Sequence, residues 1–218
     1  MHPEAPSSRL ARPSSESEAA VAEPYFEAQE GAWCGLHALN NYLGGPYVRR
    51  DDCGLAAARV CTMLSQAGDG DAELPAWHLN PDTGWLSIDV INVLGSTLGL
   101  AVDGAAIALT KLLEEDEVAC LLNWNNAHWT VLQQRSRHGP WVHTNSIEGH
   151  ASFHGRGTLA CVLDLFRLMH AIQDQYGDVT LHKIRRTDAL EGLAMLDAEG
   201  LRALLPPEVA QEPQQEGR

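Results

Sequence analysis

Residues 27–41, EAQEGAWCGLHALNN, set a cysteine and a histidine three positions apart, behind a glutamine that precedes the cysteine by five. Leu36, Leu39 and Leu43 recur at i, i+3 and i+7, one face of a helix, and Gly44-Gly45-Pro46 supplies a C-terminal glycine and a breaker. Cys34 therefore opens a helix. A helix N-terminus favours negative charge, so the position is expected to lower the thiol pKa from its unperturbed ~8.5 and raise the thiolate fraction. Three roles compete for Cys34 at this point: a nucleophile, half of a metal site with His37, or an ordinary buried thiol.

The rest of the chain supplies the frame. DDCGLAAARVCTMLSQ (51–66) reads as a second amphipathic helix with Asp51 and Asp52 at its dipole-favoured end, followed by a Gly/Asp-rich loop. LSIDVINVLGSTLGL (86–100) repeats Ile88, Ile91, Leu94 and Leu98, a third helix. VACLLNW (118–124), HWTVLQQ (128–134) and WVHTNSI (141–147) are β-rich runs with short polar connections, so antiparallel hairpins are expected. TLACVLDLFRLMHAIQDQYG (158–177) predicts an apolar helix, DVTLHKIRR (178–186) an alternating strand, and DALEGLAMLDAEGLRALL (188–205) a final helix stopped by Pro206-Pro207. Helices first, then an antiparallel sheet with helices packed on it, make an α+β fold. Residues 1–22 and 206–218 are polar, Pro-containing and without periodicity, and read as flexible tails around one domain at 23–205.

Fifteen Lys+Arg against 29 Asp+Glu, a net charge of −14, leave no phosphate-neutralising surface for nucleic acid. Partners are expected to be proteins or peptides, neutral or basic where they touch. The N-terminus carries no apolar signal-like run, and no segment approaches ~18 consecutive apolar residues, so neither secretion nor a membrane span is expected. Five cysteines, an odd number at irregular spacing, argue against a disulfide framework and for a reducing compartment, cytoplasmic or nuclear. Cys120 in VACLLNW and Cys161 in LACVLDLF are expected to be buried, inert thiols. Phosphate-loop, dinucleotide and G-x-S-x-G motifs are missing.

A cysteine hydrolase needs a thiolate, a base, a group that holds the base, and donors for the oxyanion. The base should face the helix from another element, and NNAHWTV delivers His128 at the start of a strand, with Trp129 beside it to cover an ion pair. WVHTNS on the next strand offers Asn145 to fix the tautomer of His128. Gln29, on the loop into the Cys34 helix, is positioned to share an oxyanion hole with the Cys34 backbone N–H.

QEGAWCGLHALNN, WLSIDVINVL, NWNNAHWTV and WVHTNSI resemble, in that order, the blocks of the Josephin family, papain-like cysteine proteases that remove or trim ubiquitin. The likeness runs over residues 23–205, and the glutamine-glutamate-glycine lead-in with an asparagine orienting residue is closer to the ataxin-type branch. The resemblance implies a papain-like fold, Cys34 as nucleophile, His128 as general base, Asn145 as orienting residue and Gln29 as oxyanion donor, with no metal or cofactor. It implies ubiquitin, polyubiquitin chains or ubiquitinated proteins as partners, contacted through Ile88 and Tyr47. Asp89, Leu98 and Val48 stand where the ataxin-type branch has a polar amide and two aromatics, so weak binding to single ubiquitin units is expected.

Plainer roles stand beside these. A zinc site of Cys34 and His37 needs a second pair, and His143, His150 and His154 match no structural-site spacing. His37 is expected to hydrogen-bond backbone near the helix, and Trp85 and Trp129 to be core. Two alternatives to a deubiquitinase remain: a catalytically weak ubiquitin-binding module of the same fold, and a protease acting on another ubiquitin-like protein. A monomer is the default.

Overall fold

The structure, a computed structural model, describes residues 25–67, 78–115, 118–134, 136, 138–147 and 155–187. Both expected tails, the helix expected at 188–205 and most of the Gly/Asp-rich loop lie outside the described residues.

Cys34–Leu43 form the first helix, α1, closed by Gly44 at φ 80° with its N–H on the Asn40 carbonyl. Cys34 through Asn41 are all buried, so α1 runs through the core rather than over it. Its two asparagines make this tolerable by holding the flanking loops. The Asn40 amide donates to Val48 O at 3.0 Å and accepts the Val48 N–H at 2.8 Å. Asn41 closes the same two-point clamp on the backbone of Glu27, at 3.0 and 2.7 Å. Buried side-chain amides paired with loop backbone leave no polar group unsatisfied and fix the loop.

Helix α2 (Arg50–Gln66) starts where Asp52 Oδ2 accepts the Arg49 N–H at 2.7 Å. Before the next helix comes a small hairpin, β1 (Leu79–Asn80) with β2 (Trp85–Leu86), whose two-residue strands carry no readable period. At its turn Gly84 has φ 70°, and a Cβ there would lie 2.6–2.7 Å from the Trp33 ring. Only glycine meets both demands. Helix α3 (Ile88–Thr97) is capped by Ser87, whose Oγ accepts the Val90 N–H at 3.3 Å. It ends before Leu98, and Gly99 at φ 69° turns the chain into strand β3 (Leu100–Val102), whose first residue was the last of the run expected to be helical.

After a single helical turn, α4 (Leu109–Leu112), come β4 (Val118–Trp124), β5 (His128–Gln134), β6 (Trp141–Asn145), β7 (Gly155–Leu159), helix α5 (Val162–Tyr176) and β8 (Val179–Arg186). The six longer-range strands form one sheet in the order β3-β8-β4-β5-β6-β7, every neighbouring pair antiparallel. One face packs on the helices of the first half through Leu39, Ile91, Leu121, Trp129 and Val131. The other packs on α5 through Leu122, Leu132, Trp141, Leu165 and Ile172. Both faces are covered, so β4 is buried at six of its seven positions and reads as an apolar run rather than an alternation. The architecture is α+β, as expected.

The helix expected from Thr158 begins instead at Val162, because residues 155–159 form the edge strand β7. GRGTL, with two glycines and no buried position, shows no strand period. Cys161 consequently caps α5 and is exposed, not buried, whereas Cys53 and Cys120 are buried and desolvation pushes both thiols up. No described helix is long and apolar enough to cross a membrane.

Candidate active site

The β4–β5 hairpin turns through Asn125 and Asn126, both at positive φ (49° and 54°), a conformation asparagine tolerates better than other non-glycine residues. Asn123 Oδ1 accepts the Asn126 N–H at 2.7 Å, and the turn leaves His128 opposite Trp124 at the end of the sheet. β5 pairs with β6 only from Val131, opposite Thr144, to Gln134. At residues 128–130 the two strands have therefore parted, and the N-terminus of α1 reaches this end of β5. The Trp129 backbone N–H is directed at the Cys34 sulfur, which sets the thiol one residue from His128. Asn145, the last residue of β6, accepts from His128 Nε2 at 2.8 Å and from the Ile147 N–H at 3.0 Å, both on Oδ1. Its amide oxygen thus holds the proton on Nε2 and leaves Nδ1 as the nitrogen for proton exchange.

Trp124, not Trp129, lies against the histidine: its ring meets that of His128 edge-on, centroids 4.8 Å apart at 68°. Trp129 is core, its indole N–H donating to Leu86 O at 2.9 Å. His143 also stacks on Trp124, centroids 6.2 Å apart, and hydrogen-bonds Thr130 Oγ1 at 3.1 Å. Burial, with the neighbouring His128, pushes the His143 pKa down to about 3. It therefore stays neutral at physiological pH. His150 and His154 lie outside the described residues, and among the described residues no three His, Cys, Asp or Glu side chains are grouped as a metal site would require.

The expectation of a low thiol pKa is overturned. Cys34 is 2% exposed, and desolvation pushes its pKa up despite the N–H groups of Trp129, Gly35 and Cys34 directed at the sulfur. Helix position alone argued for a thiolate; burial, which only the folded molecule reveals, outweighs it. Burial thus favours the Cys34 thiol over the thiolate.

Gln29 is bound to the strand that ends in Asn145. Its N–H donates to Ser146 O at 2.7 Å, the Ser146 hydroxyl donates to its Oε1 at 3.1 Å, and its Nε2 donates to Gly31 O at 2.6 Å. One amide hydrogen is thus committed to Gly31, and an oxyanion role falls to the other or to a turn of the amide. His37 does hydrogen-bond backbone, accepting the Glu30 N–H on Nε2 at 3.2 Å, and its Nδ1 donates to Glu27 Oε1 at 2.9 Å. That double commitment removes it as a zinc partner for Cys34. The structure thus gathers Cys34, His128, Asn145 and Gln29 at one end of the sheet. Trp124, Ser146 and Glu27 were overlooked in the sequence, though NWNNAH and NS set the first two beside residues already singled out.

Of the expected contact residues, Tyr47 is 42% exposed and Ile88 is half-buried against the core. Val48 is core at 4% exposure and offers no side chain to a partner. Asp89 is exposed, 3.7 Å from His78 Nδ1. No protein-family model and no curated protein matches the chain.

Proposed function

We propose that the protein is a cysteine-dependent deubiquitinase of papain-like architecture and of the Josephin family, hydrolysing the isopeptide bond after the C-terminal glycine of ubiquitin. One observation carries the proposal: the Trp129 N–H is directed at Cys34 Sγ while Asn145 Oδ1 holds Nε2 of the adjacent His128. Those two contacts support a nucleophile, a neighbouring base and an acceptor that orients the base.

Because burial keeps Cys34 a thiol, His128 Nδ1 takes its proton as sulfur attacks the glycine carbonyl. The carbonyl oxygen becomes an oxyanion facing the Cys34 N–H and the Gln29 amide. As the tetrahedral species collapses, the C–N bond breaks, His128 returns the proton to the lysine amine, and ubiquitin remains as a thioester on Cys34. Water, deprotonated by His128, then releases the ubiquitin carboxylate and the free thiol. The chemistry needs no metal or cofactor, and a reducing cytoplasmic or nuclear compartment keeps Cys34 reactive. Ubiquitin would be met through Tyr47 and Ile88.

A second role, a ubiquitin-binding module with little turnover, is favoured by the burial and raised pKa of Cys34. Hydrolysis of ubiquitin carrying a C-terminal fluorophore separates the two. Turnover is expected from the parent and its loss from folded His128→Ala; a parent that binds ubiquitin without releasing fluorophore would decide for the module.

A further inference from the structure

We propose that His37 is a positioning residue that strings the Gln29 loop onto α1, so that the oxyanion donor is held in place by an imidazole that never meets substrate. The proposal rests on the hydrolase assignment above only for its kinetic consequence.

His37 is 5% exposed and uses both ring nitrogens on the loop. Nε2 accepts the N–H of Glu30, the residue after Gln29, and Nδ1 donates to the carboxylate of Glu27, two residues before it. The imidazole therefore brackets Gln29 from both sides. Glu27 is itself fixed three further ways: Asn41 clamps its backbone N–H and C=O, and the Tyr25 hydroxyl donates to its other carboxylate oxygen at 2.9 Å. Desolvation and that carboxylate push the Tyr25 pKa up to about 12, so the hydroxyl remains a donor across the working range. Arg50 reaches Glu30 from outside at 3.4 Å and lies over the Trp33 ring, 5.6 Å from its centroid. Between these anchors the Gln29 N–H donates to Ser146 O, next to Asn145. His37 lies one helical turn from Cys34, so the strap ties the oxyanion loop to the element that carries the nucleophile.

A merely structural histidine would lower stability without touching Gln29 in particular. The test reads Gln29 directly, by amide hydrogen exchange in His37→Leu and in His37→Gln, which keeps one donor and one acceptor. The Gln29 N–H, bonded to Ser146 and not to His37, should exchange about tenfold faster or more in His37→Leu with β4–β8 amides unchanged, and recover in part in His37→Gln. In turnover, kcat should fall by about tenfold or more, the scale of cost for a misplaced catalytic group, with KM nearly constant. Added to Gln29→Ala, His37→Leu should cost little more, since both act through one donor. Unchanged Gln29 exchange, or fully multiplicative kcat losses, would overturn the proposal. Exchange needs no substrate: faster Gln29 exchange in an inactive protein would keep the strap and remove the hydrolase, and unchanged exchange in an active one would do the reverse. Should His37→Leu fail to fold, Glu27→Ala cuts the same strap and the same outcomes apply.

Discussion

Asn145 Oδ1 receives two donors, His128 Nε2–H and the Ile147 N–H, so its oxygen holds both the base and the start of the loop that follows. Asn145→Asp keeps an acceptor for both donors; Asn145→Ala leaves His128 free to rotate and to change tautomer. Turnover of fluorogenic ubiquitin should therefore fall by on the order of 10² in kcat for the alanine variant, the usual worth of a positioned proton-transfer group, and much less for the aspartate. Equal losses in the two would show that the acceptor is not what matters. Cys34, His128, Asn145 and Gln29 were readable as candidates because a cysteine hydrolase needs a nucleophile, a base, a group to hold it and an oxyanion donor, and their order along the chain is that of the blocks they resemble. The thiol's actual state was not. A sequence shows that Cys34 opens a helix, but the burial that raises its pKa is set only by how the folded chain packs around it.

Among the elements, those with a period long enough to repeat were legible: α1, α2, α3, β4, β5, β6 and β8 fall where apolar spacing puts them. The missed ones are short or sit at edges. β1 and β2 have two residues each, β3 has three, and β7 is a half-exposed edge strand with two glycines. Periodicity cannot resolve so few positions, and edge strands lack the buried face that creates it. The end of the β5–β6 ladder was equally hidden, since where two strands part depends on what fills the gap. Here the Trp129 N–H turns to Cys34, and Asn145 reaches across to His128. Val48 shows the same limit from the other side: next to exposed Tyr47 in sequence, it is drawn into the core by the Asn40 clamp on its backbone.

Across the whole molecule, buried groups that refuse to ionise set the pH range of stability. His143, pushed down to about 3 from 6.5, and His182, also lowered by desolvation, stay neutral in the folded state at pH values where the unfolded chain takes up their protons. More protons bound by the unfolded chain means stability falling as pH drops from ~6.5 towards ~3. For His143 alone the loss at pH 4.5 is roughly 2–3 kcal/mol. Cys34, Cys53 and Cys120 act on the alkaline side: their raised thiols keep protons that the unfolded chain gives up above ~8.5, so stability falls again as pH rises. Urea denaturation of the parent should show a near-neutral maximum, and His143→Gln should lose distinctly less than the parent between pH 7 and pH 4.5; parallel acid losses would remove His143 as the cause. The net charge of −14 leaves the chain suited to a neutral or basic protein partner, and the proposed one, ubiquitin, gives the most direct test. Intact-mass measurement after incubation with ubiquitin bearing a C-terminal electrophile should show one ubiquitin added to the parent protein and none to folded Cys34→Ser. No adduct on the parent, or an adduct that persists on Cys34→Ser, would contradict the assignment of Cys34 as the nucleophile.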